Sequence, residues 1–409
     1  MAVVGENGRE LVSWQEIADH LGITVRAAQR WERERGLPIR RLPGKRSIVS
    51  ANRAEVDAWR NSLDQVASPQ AASIRRWQSL AGTLFVALAC LGWYWFVTAR
   101  AASPASFRIE QNVLVVLDAG GREAWRATFP TPLNSALYVN TGAQRHFWTG
   151  DLDGDGRPEV LFTELPENPF EAESLICFSD RGVVKWRFRP GRVVFTPAQR
   201  FTSAFHIADF VVAPLGKGGA PTVVITSHQV PDYPNQAALI SGTGAILGEY
   251  WHSGYLEQLA VSAQDIYLGG VSNAYGSATL VVLGADKVAG ASVEENPTYQ
   301  LQGFPPAHER ARLLFPRSCI NRKLEPYNRV ARLTVDRESV TASVFELEPP
   351  KTTEVWYQLT PDLRLKHFEV SDAFRSRHAE LQATRLLDHD LTPGEEKAMG
   401  VIRDISTAK

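Results

Sequence analysis

The chain has 409 residues, 44% of them apolar, with 44 Lys and Arg against 45 Asp and Glu, and 3 cysteines. That length exceeds one ordinary core, and the apolar share excludes a wholly disordered chain, so two or three folded domains are expected. So few cysteines exclude a disulfide scaffold. The near-neutral total hides an asymmetry: residues 1–76 carry 13 basic and 9 acidic side chains, residues 77–99 none, and residues 100–409 carry 31 and 36. A basic head and an acidic body point to different partners.

In the head, residues 1–62, Ser13 with Glu16 forms a capping box that starts a helix with Ile17, Ala18 and Leu21 on its apolar face. Gly22 ends it, and Thr24 caps a second helix over Val25–Arg35. Ala28 and Trp31 are expected inside; Arg26, Gln29, Arg30 and Arg33 face outward. Gly36-Leu37-Pro38 stops this helix, IRRLPGKRSIV follows as a basic strand pair around Pro43-Gly44, and Ser50, Glu55, Val56 and Trp59 open a closing helix.

Residues 63–76 form a polar linker with Pro69. Trp77 to Ala99, WQSLAGTLFVALACLGWYWFVTA, then runs 23 residues without a charge. About 20 apolar residues cross a bilayer as a helix, and Trp77 with Trp93, Tyr94 and Trp95 marks both ends as an aromatic belt. A single transmembrane helix at 77–99 is therefore expected, the lipid bilayer being one partner. Flanking charge favours a cytoplasmic N-terminus only mildly, with Arg60, Arg75 and Arg76 before the run and Arg100 and Arg108 after it.

The run EIADHLGITVRAAQRWERERGLPIRR, with GKRSIVS and EVDAW after it, resembles the N-terminal winged helix-turn-helix of the MerR family and its excisionase-type relatives. The likeness covers about 50 residues and is carried by W-E-R, G-L-P and the Gly-basic-basic wing tip. It implies double-stranded DNA as partner, with Arg26, Gln29 and Arg30 at the major groove and Arg40, Arg41, Lys45 and Arg46 on the phosphates. The chemistry agrees, because Arg and Gln read base edges and clustered cations neutralise phosphate. The family's long dimerising coiled coil is missing here, so a homodimer, where it forms, draws its contacts from the span or the body.

Residues 105–370 alternate with period two between turns. SLICFSDRGVVKWRF from Ser174 aligns with QAALISGTGAILGEY from Gln236, Gly182 over Gly244, and VLVVLDAGGREAWRATF from Val113 fits with one extra residue. DLDGDGRPEVLF (Asp151–Phe162) aligns with PLGKGGAPTVVI (Pro214–Ile225). Residues 256–290 and Arg329–Val370 read as further units. Repeated units of about four strands predict an all-β propeller of about five to seven blades, the alternative being tandem β-sandwiches. The D-G…W hairpins resemble PQQ-like repeats and DLDGDGRPEV resembles FG-GAP/VCBS repeats; both imply the propeller. Residues 371–409 read as a helical C-terminal segment.

Asp151, Asp153, Asp155 and Glu159 fall at positions one, three, five and nine of an acidic loop, with the Arg157 carbonyl at seven. Hard oxygen donors at this spacing predict one Ca²⁺ site. The copy at Pro214–Thr222 has no carboxylate and should fold alike without metal. His146, His206, His228 and His252 lack a nucleophile elbow or ligand spacing, so neither enzymatic activity nor an organic cofactor is expected. Cys177 and Cys319 either pair or serve as small buried hydrophobes. The fold class expected is thus multidomain: a small α winged helix-turn-helix, one transmembrane helix and an all-β propeller. The function expected is a regulator anchored in a bacterial inner (plasma) membrane, its DNA-binding head cytoplasmic and its periplasmic or extracellular body binding a ligand or protein. The alternative is an envelope binding or adhesion protein with the head as a docking module.

Overall fold

The computed structural model describes residues 10–42, 48–65, 82, 84–93, 103–139, 145–231 and 233–406. The chain divides into two compact units, Met1–Phe96 and Val97–Lys409.

In the first unit β1 (Glu10–Leu11) leads into α1 (Trp14–Leu21) and α2 (Val25–Arg35). Ser13 Oγ accepts from the Glu16 amide at 3.1 Å, and Glu16 Oε2 accepts from the Val12 amide at 2.8 Å, one residue further back than a reciprocal box. Gly22 turns the chain in the left-handed region at φ 68°, and Thr24 Oγ1 caps α2 by accepting from the Ala27 amide at 3.3 Å. β2 (Arg40–Leu42) and β3 (Ile48–Asn52) pair, and β1 joins the other edge of β3. α3 (Arg53–Gln65) closes the unit, starting after the buried Ser50 and running past the boundary expected at 62. Ile17, Ala18, Leu21, Ala28, Leu37, Val49, Ala51 and Val56 form its core. The expected small α winged helix-turn-helix is corrected here: a three-stranded sheet contributes Val49 and Ala51 to that core, which makes the unit a mixed α and β one.

The expected transmembrane helix is also corrected. Among the described residues no helix is long and apolar enough to cross a membrane. Residues 84–93 are helical and exposed; at 1.5 Å per residue they span about 15 Å, half of a hydrocarbon core. Residues 77–81, 83 and 94–99 of the expected span lie outside the described residues.

The second unit is built from antiparallel meanders. The first sheet holds β4 (Pro104–Glu110), β5 (Val113–Asp118) and β6 (Glu123–Thr128). Helix α4 (Ser135–Val139) leads to the second: β7 (Phe147–Gly150), β8 (Glu159–Glu164), β9 (Ser174–Phe178) and β10 (Val184–Phe188). A small hairpin, β11 (Val194–Phe195) and β12 (Arg200–Phe201), precedes the third: β13 (Phe205–Ala213), β14 (Thr222–Gln229), β15 (Asn235–Ser241) and β16 (Ile246–His252). The fourth holds β17 (Tyr255–Val261), β18 (Asp265–Ser272), β19 (Ser277–Gly284) and, after β20 (Ala289–Ala291) has paired parallel to β16, β21 (Glu309–Leu314). Helix α5 (Cys319–Leu324) opens the way to the fifth: β22 (Arg329–Val335), β23 (Val340–Leu347), β24 (Thr353–Leu359) and β25 (Leu365–Val370). Then α6 (Asp372–Ala383) and α7 (Pro393–Ala398) return the chain, and β26 (Arg403–Asp404) adds to β21.

Each sheet packs on its neighbour in sequence. Leu114, Val116 and Trp125 of the first meet Val160, Phe162 and Ile176 of the second. Leu161 and Leu175 meet Phe210, Val223 and Ile240 of the third; Val224, Leu239 and Tyr250 meet Leu256, Leu268 and Val281 of the fourth. Leu280 and Leu313 meet Val344 and Tyr357 of the fifth, with Phe374 and Leu381 of α6 on the same core. The body is thus an all-β, propeller-like succession of sheets. The expected closed propeller is corrected: no sheet closes, and no apolar cluster among the described residues joins the first sheet to the last, the contact a ring requires. Strand outweighs helix, 41% against 21%, so the fold class is mainly β.

Candidate functional site

Arg26, Gln29, Arg30 and Arg33 recur at helical spacing on one side of α2, while Ala28 faces the core. Arg26, Arg30 and Arg33 are exposed and Gln29 is half-buried. Arg40 and Arg41 of β2 are exposed too, but both are engaged: Arg40 Nη2 lies 2.5 Å from Glu55 Oε1, and Arg41 Nη2 donates to both Glu32 oxygens at 3.0 Å. Lys45 and Arg46 lie outside the described residues. Trp31 and Trp59 pack at 5.9 Å, and Trp59 Nε1 donates to the Arg35 carbonyl at 2.8 Å, fixing α3 against the end of α2.

The acidic loop joins β7 to β8 and is held by its own carboxylates. Asp151 accepts from the amides of Gly154 at 2.7 Å and Gly156 at 3.0 Å; Asp155 accepts from the Arg157 amide at 2.8 Å; Glu159 Oε2 accepts from the Leu152 amide at 2.9 Å. One oxygen each from Asp151, Asp153 and Glu159 falls within 4.8 Å of the others. Asp155 stays at the solvent edge, and Arg157 supplies its amide to the loop.

Lys185, which the sequence pattern did not single out, enters this cluster from β10. The order β10-β9-β8 carries its ammonium across the sheet to Glu159 Oε1 at 2.9 Å and Asp153 Oδ2, with Asp155 Oδ2 at 3.8 Å. The Lys185 hydrogen bond holds the Asp153 carboxyl below its usual range, and Asp153 in turn raises the lysine. No local motif signals Lys185; only strand pairing brings it there. The equivalent loop of the third sheet, between β13 and β14, carries no carboxylate and turns through the Gly216 amide, which donates to the Ala220 carbonyl at 2.9 Å.

The four histidines are scattered in packing positions. His206 and His228 meet edge to face at 5.8 Å, with Tyr255 against His228 at 4.7 Å. Burial lowers His146, and pushes His228 and His252 down to about 4, which keeps all three neutral. Between the third and fourth sheets lies a buried polar cluster also unread in the sequence: Arg312 with Glu294 at 3.2 Å and Glu309 at 3.1 Å, and the Tyr250 hydroxyl donating to Glu309 at 2.8 Å. The three cysteines are free thiols.

No protein-family model matches the chain, and no curated protein matches it. Similar solved structures include a eukaryotic initiation factor (10% identity, 65% of this chain and 62% of that one, TM-score 0.29). Others are BamB from Moraxella catarrhalis (11%, 66% and 74%, 0.25) and the exotype rhamnogalacturonan lyase YesX (11%, 66% and 52%, 0.29). The chain spans less than two thirds of the initiation factor and about half of the lyase. At these TM-scores the likenesses carry no functional weight.

Proposed function

We propose that the N-terminal unit binds double-stranded DNA as part of a transcriptional regulator, and that the β body binds a ligand or a partner protein. The observation that carries the first half is the single face of α2 that presents Arg26, Arg30 and Arg33 to solvent, with the half-buried Gln29 among them. Guanidinium and amide groups on one rigid helix suit base edges and phosphates together. Arg40 and Arg41 add two more cations, each exchanging Glu55 or Glu32 for phosphate on binding. Fluorescence anisotropy of a labelled duplex titrated with the full chain tests this. Affinity should fall steeply between about 50 and 200 mM salt, and the salt slope should drop by about one for each phosphate-binding cation removed by Arg40→Ala or Arg41→Ala. Absence of salt-dependent binding rejects the proposal.

For the acidic loop, we infer that Ca²⁺ gains access only in competition with Lys185. Asp151, Asp153 and Glu159 supply the hard oxygen donors a calcium ion takes, and the ammonium stands among them. The loop's role on this reading is structural, bracing β7, β8 and β10. Calorimetric melting with Ca²⁺ or EGTA, on wild type and Lys185→Met, tests it.

A further inference from the structure

The C-terminal helices return to the body at a point where three metal-type donors meet. Cys319 is the first residue of α5, with Ser318 as cap. His378 sits on the buried face of α6 with Phe374 and Leu381. His389 lies in the segment between α6 and α7. One donor atom from each falls within 4.8 Å of the other two. His378 is 1% exposed, and its Nε2 has no hydrogen-bond partner. A buried imidazole nitrogen without a partner is uncommon and calls for a ligand.

His389 is held between two carboxylates, Nδ1 at 2.9 Å from Asp388 and Nε2 at 2.8 Å from Glu395 Oε1. Its ring meets His378 edge to face at 5.5 Å. Glu395 is fixed through Oε2, which accepts from the Thr392 amide and hydroxyl at 3.0 Å each, so Oε1 is left facing the histidine. A pocket lined by Cys319, Arg322, Leu391 and Glu395 reaches the thiol from outside.

We propose that Cys319, His378 and His389 form a binding site for a borderline divalent transition ion, Zn²⁺ fitting best, with Glu395 Oε1 as the fourth donor. One thiolate, two imidazoles and a carboxylate are a tetrahedral zinc set and a poor one for Ca²⁺ or Mg²⁺. Bonds of about 2.0–2.3 Å place such donors roughly 3.3–3.8 Å apart, so Cys319, His378 and His389 close in slightly while Glu395 Oε1 moves back from its 2.8 Å contact with His389 Nε2. The ion takes the place between His389 Nε2 and Glu395 Oε1, while Asp388 keeps Nδ1–H and orients the ring, as carboxylates behind metal-bound histidines do. Binding releases two protons to solvent, one from the Cys319 thiol and one from His389 Nε2, which faces Glu395 Oε1 before the ion enters. Bound metal ties α5, α6 and the start of α7 into one cross-link, anchoring the C-terminal segment on the fourth and fifth sheets.

Co²⁺ titration of the reduced, metal-stripped full chain tests this. The expected result is a thiolate-to-cobalt charge-transfer band with strong tetrahedral visible bands, saturating at a single equivalent and bleached by Zn²⁺. Cys319→Ser should lose the charge-transfer band. His378→Asn and His389→Asn should lose the tetrahedral visible bands, with far-UV circular dichroism confirming that each variant is folded. Asp153→Asn should leave both unchanged. A wild-type chain that gives no charge-transfer band, which depends on no variant folding, overturns the proposal, as does a band that survives in Cys319→Ser.

Discussion

The indole of Trp186 lies against Gly244 of the following sheet. Its Nε1 donates to the Gly242 carbonyl at 2.9 Å, and a Cβ added to Gly244 would fall 2.6 Å from the ring. One sheet earlier Trp125 covers Gly182 in the same way, at 2.7 Å. The glycine turns its hairpin at positive φ, and its bare face receives the tryptophan of the sheet before it. Gly121, in the first hairpin, has nothing within 4 Å. Gly244→Ala and Gly182→Ala should therefore destabilise by roughly 1–3 kcal/mol beyond the backbone strain that Gly121→Ala reports alone. Urea midpoints of the three variants check this; equal losses at all three positions would show that the ring contact contributes nothing.

That staple explains what was legible in the sequence. Gly182 over Gly244, with the tryptophan late in the repeat, was visible because a local spacing encodes it. The same holds for Thr24 as a cap, for Gly22, and for the α2 face bearing Arg26 and Arg30. What period-two patterning cannot show is how successive sheets end: alternation reports that a face is buried, not whether the first sheet meets the last. Lys185 was missed because strand pairing, not spacing, brings it to Glu159. The Cys319, His378 and His389 cluster joins residues 70 positions apart through tertiary packing.

Lys185→Met leaves Glu159, which is 1% exposed, and Asp153 without their cation. At pH 7 the loss should be roughly 1–3 kcal/mol, the cost of a buried group deprived of its partner. Because Asp153 is held below its usual range, its contribution is present above the unfolded carboxylate pKa of about 3.9 and fades as pH falls through the depressed value. The difference between wild type and variant should narrow there. Ca²⁺ should raise the melting temperature of Lys185→Met more than that of wild type. Equal responses would sink the competition between lysine and metal.

Glu173 predicts a second pH dependence, of opposite sign. Burial pushes its carboxyl up to about 8, while the Ile207 amide donates to Oε2 at 2.6 Å. A raised folded-state pKa contributes stability that is complete below the unfolded value of 4.5 and is lost as pH rises through about 8. His228 and His252, pushed down to about 4, work the other way, losing stability as pH falls from 6.5 toward that value. Between pH 6.5 and 8 Glu173 is therefore read without them, with a slope approaching about 1.4 kcal/mol per pH unit. Glu173→Gln keeps an acceptor for Ile207 and should flatten that slope in chemical denaturation across this range. A slope unchanged in the variant would assign the dependence elsewhere.

Arg312 holds two carboxylates inside the interface of the third and fourth sheets. It is 1% exposed, 3.2 Å from Glu294 Oε1 and 3.1 Å from Glu309 Oε2, and donates through Nη2 to the Val293 carbonyl at 2.5 Å. Tyr250 covers Glu309, and Ser253 and Ser292 donate to Glu294 at 3.0 and 2.6 Å. Such a network fails asymmetrically. Removing the cation alone strands two buried negative charges, and Arg312→Met should cost about 3–5 kcal/mol. Neutralising all three members, Arg312→Met with Glu294→Gln and Glu309→Gln, removes the stranded charge and should recover most of that loss, since replacing a whole buried ion cluster is often near neutral. Urea denaturation of the single and triple variants separates the two cases. A single variant within about 1 kcal/mol of wild type would fall inside the range of an exposed ion pair, and the cluster would then not be what holds these sheets together.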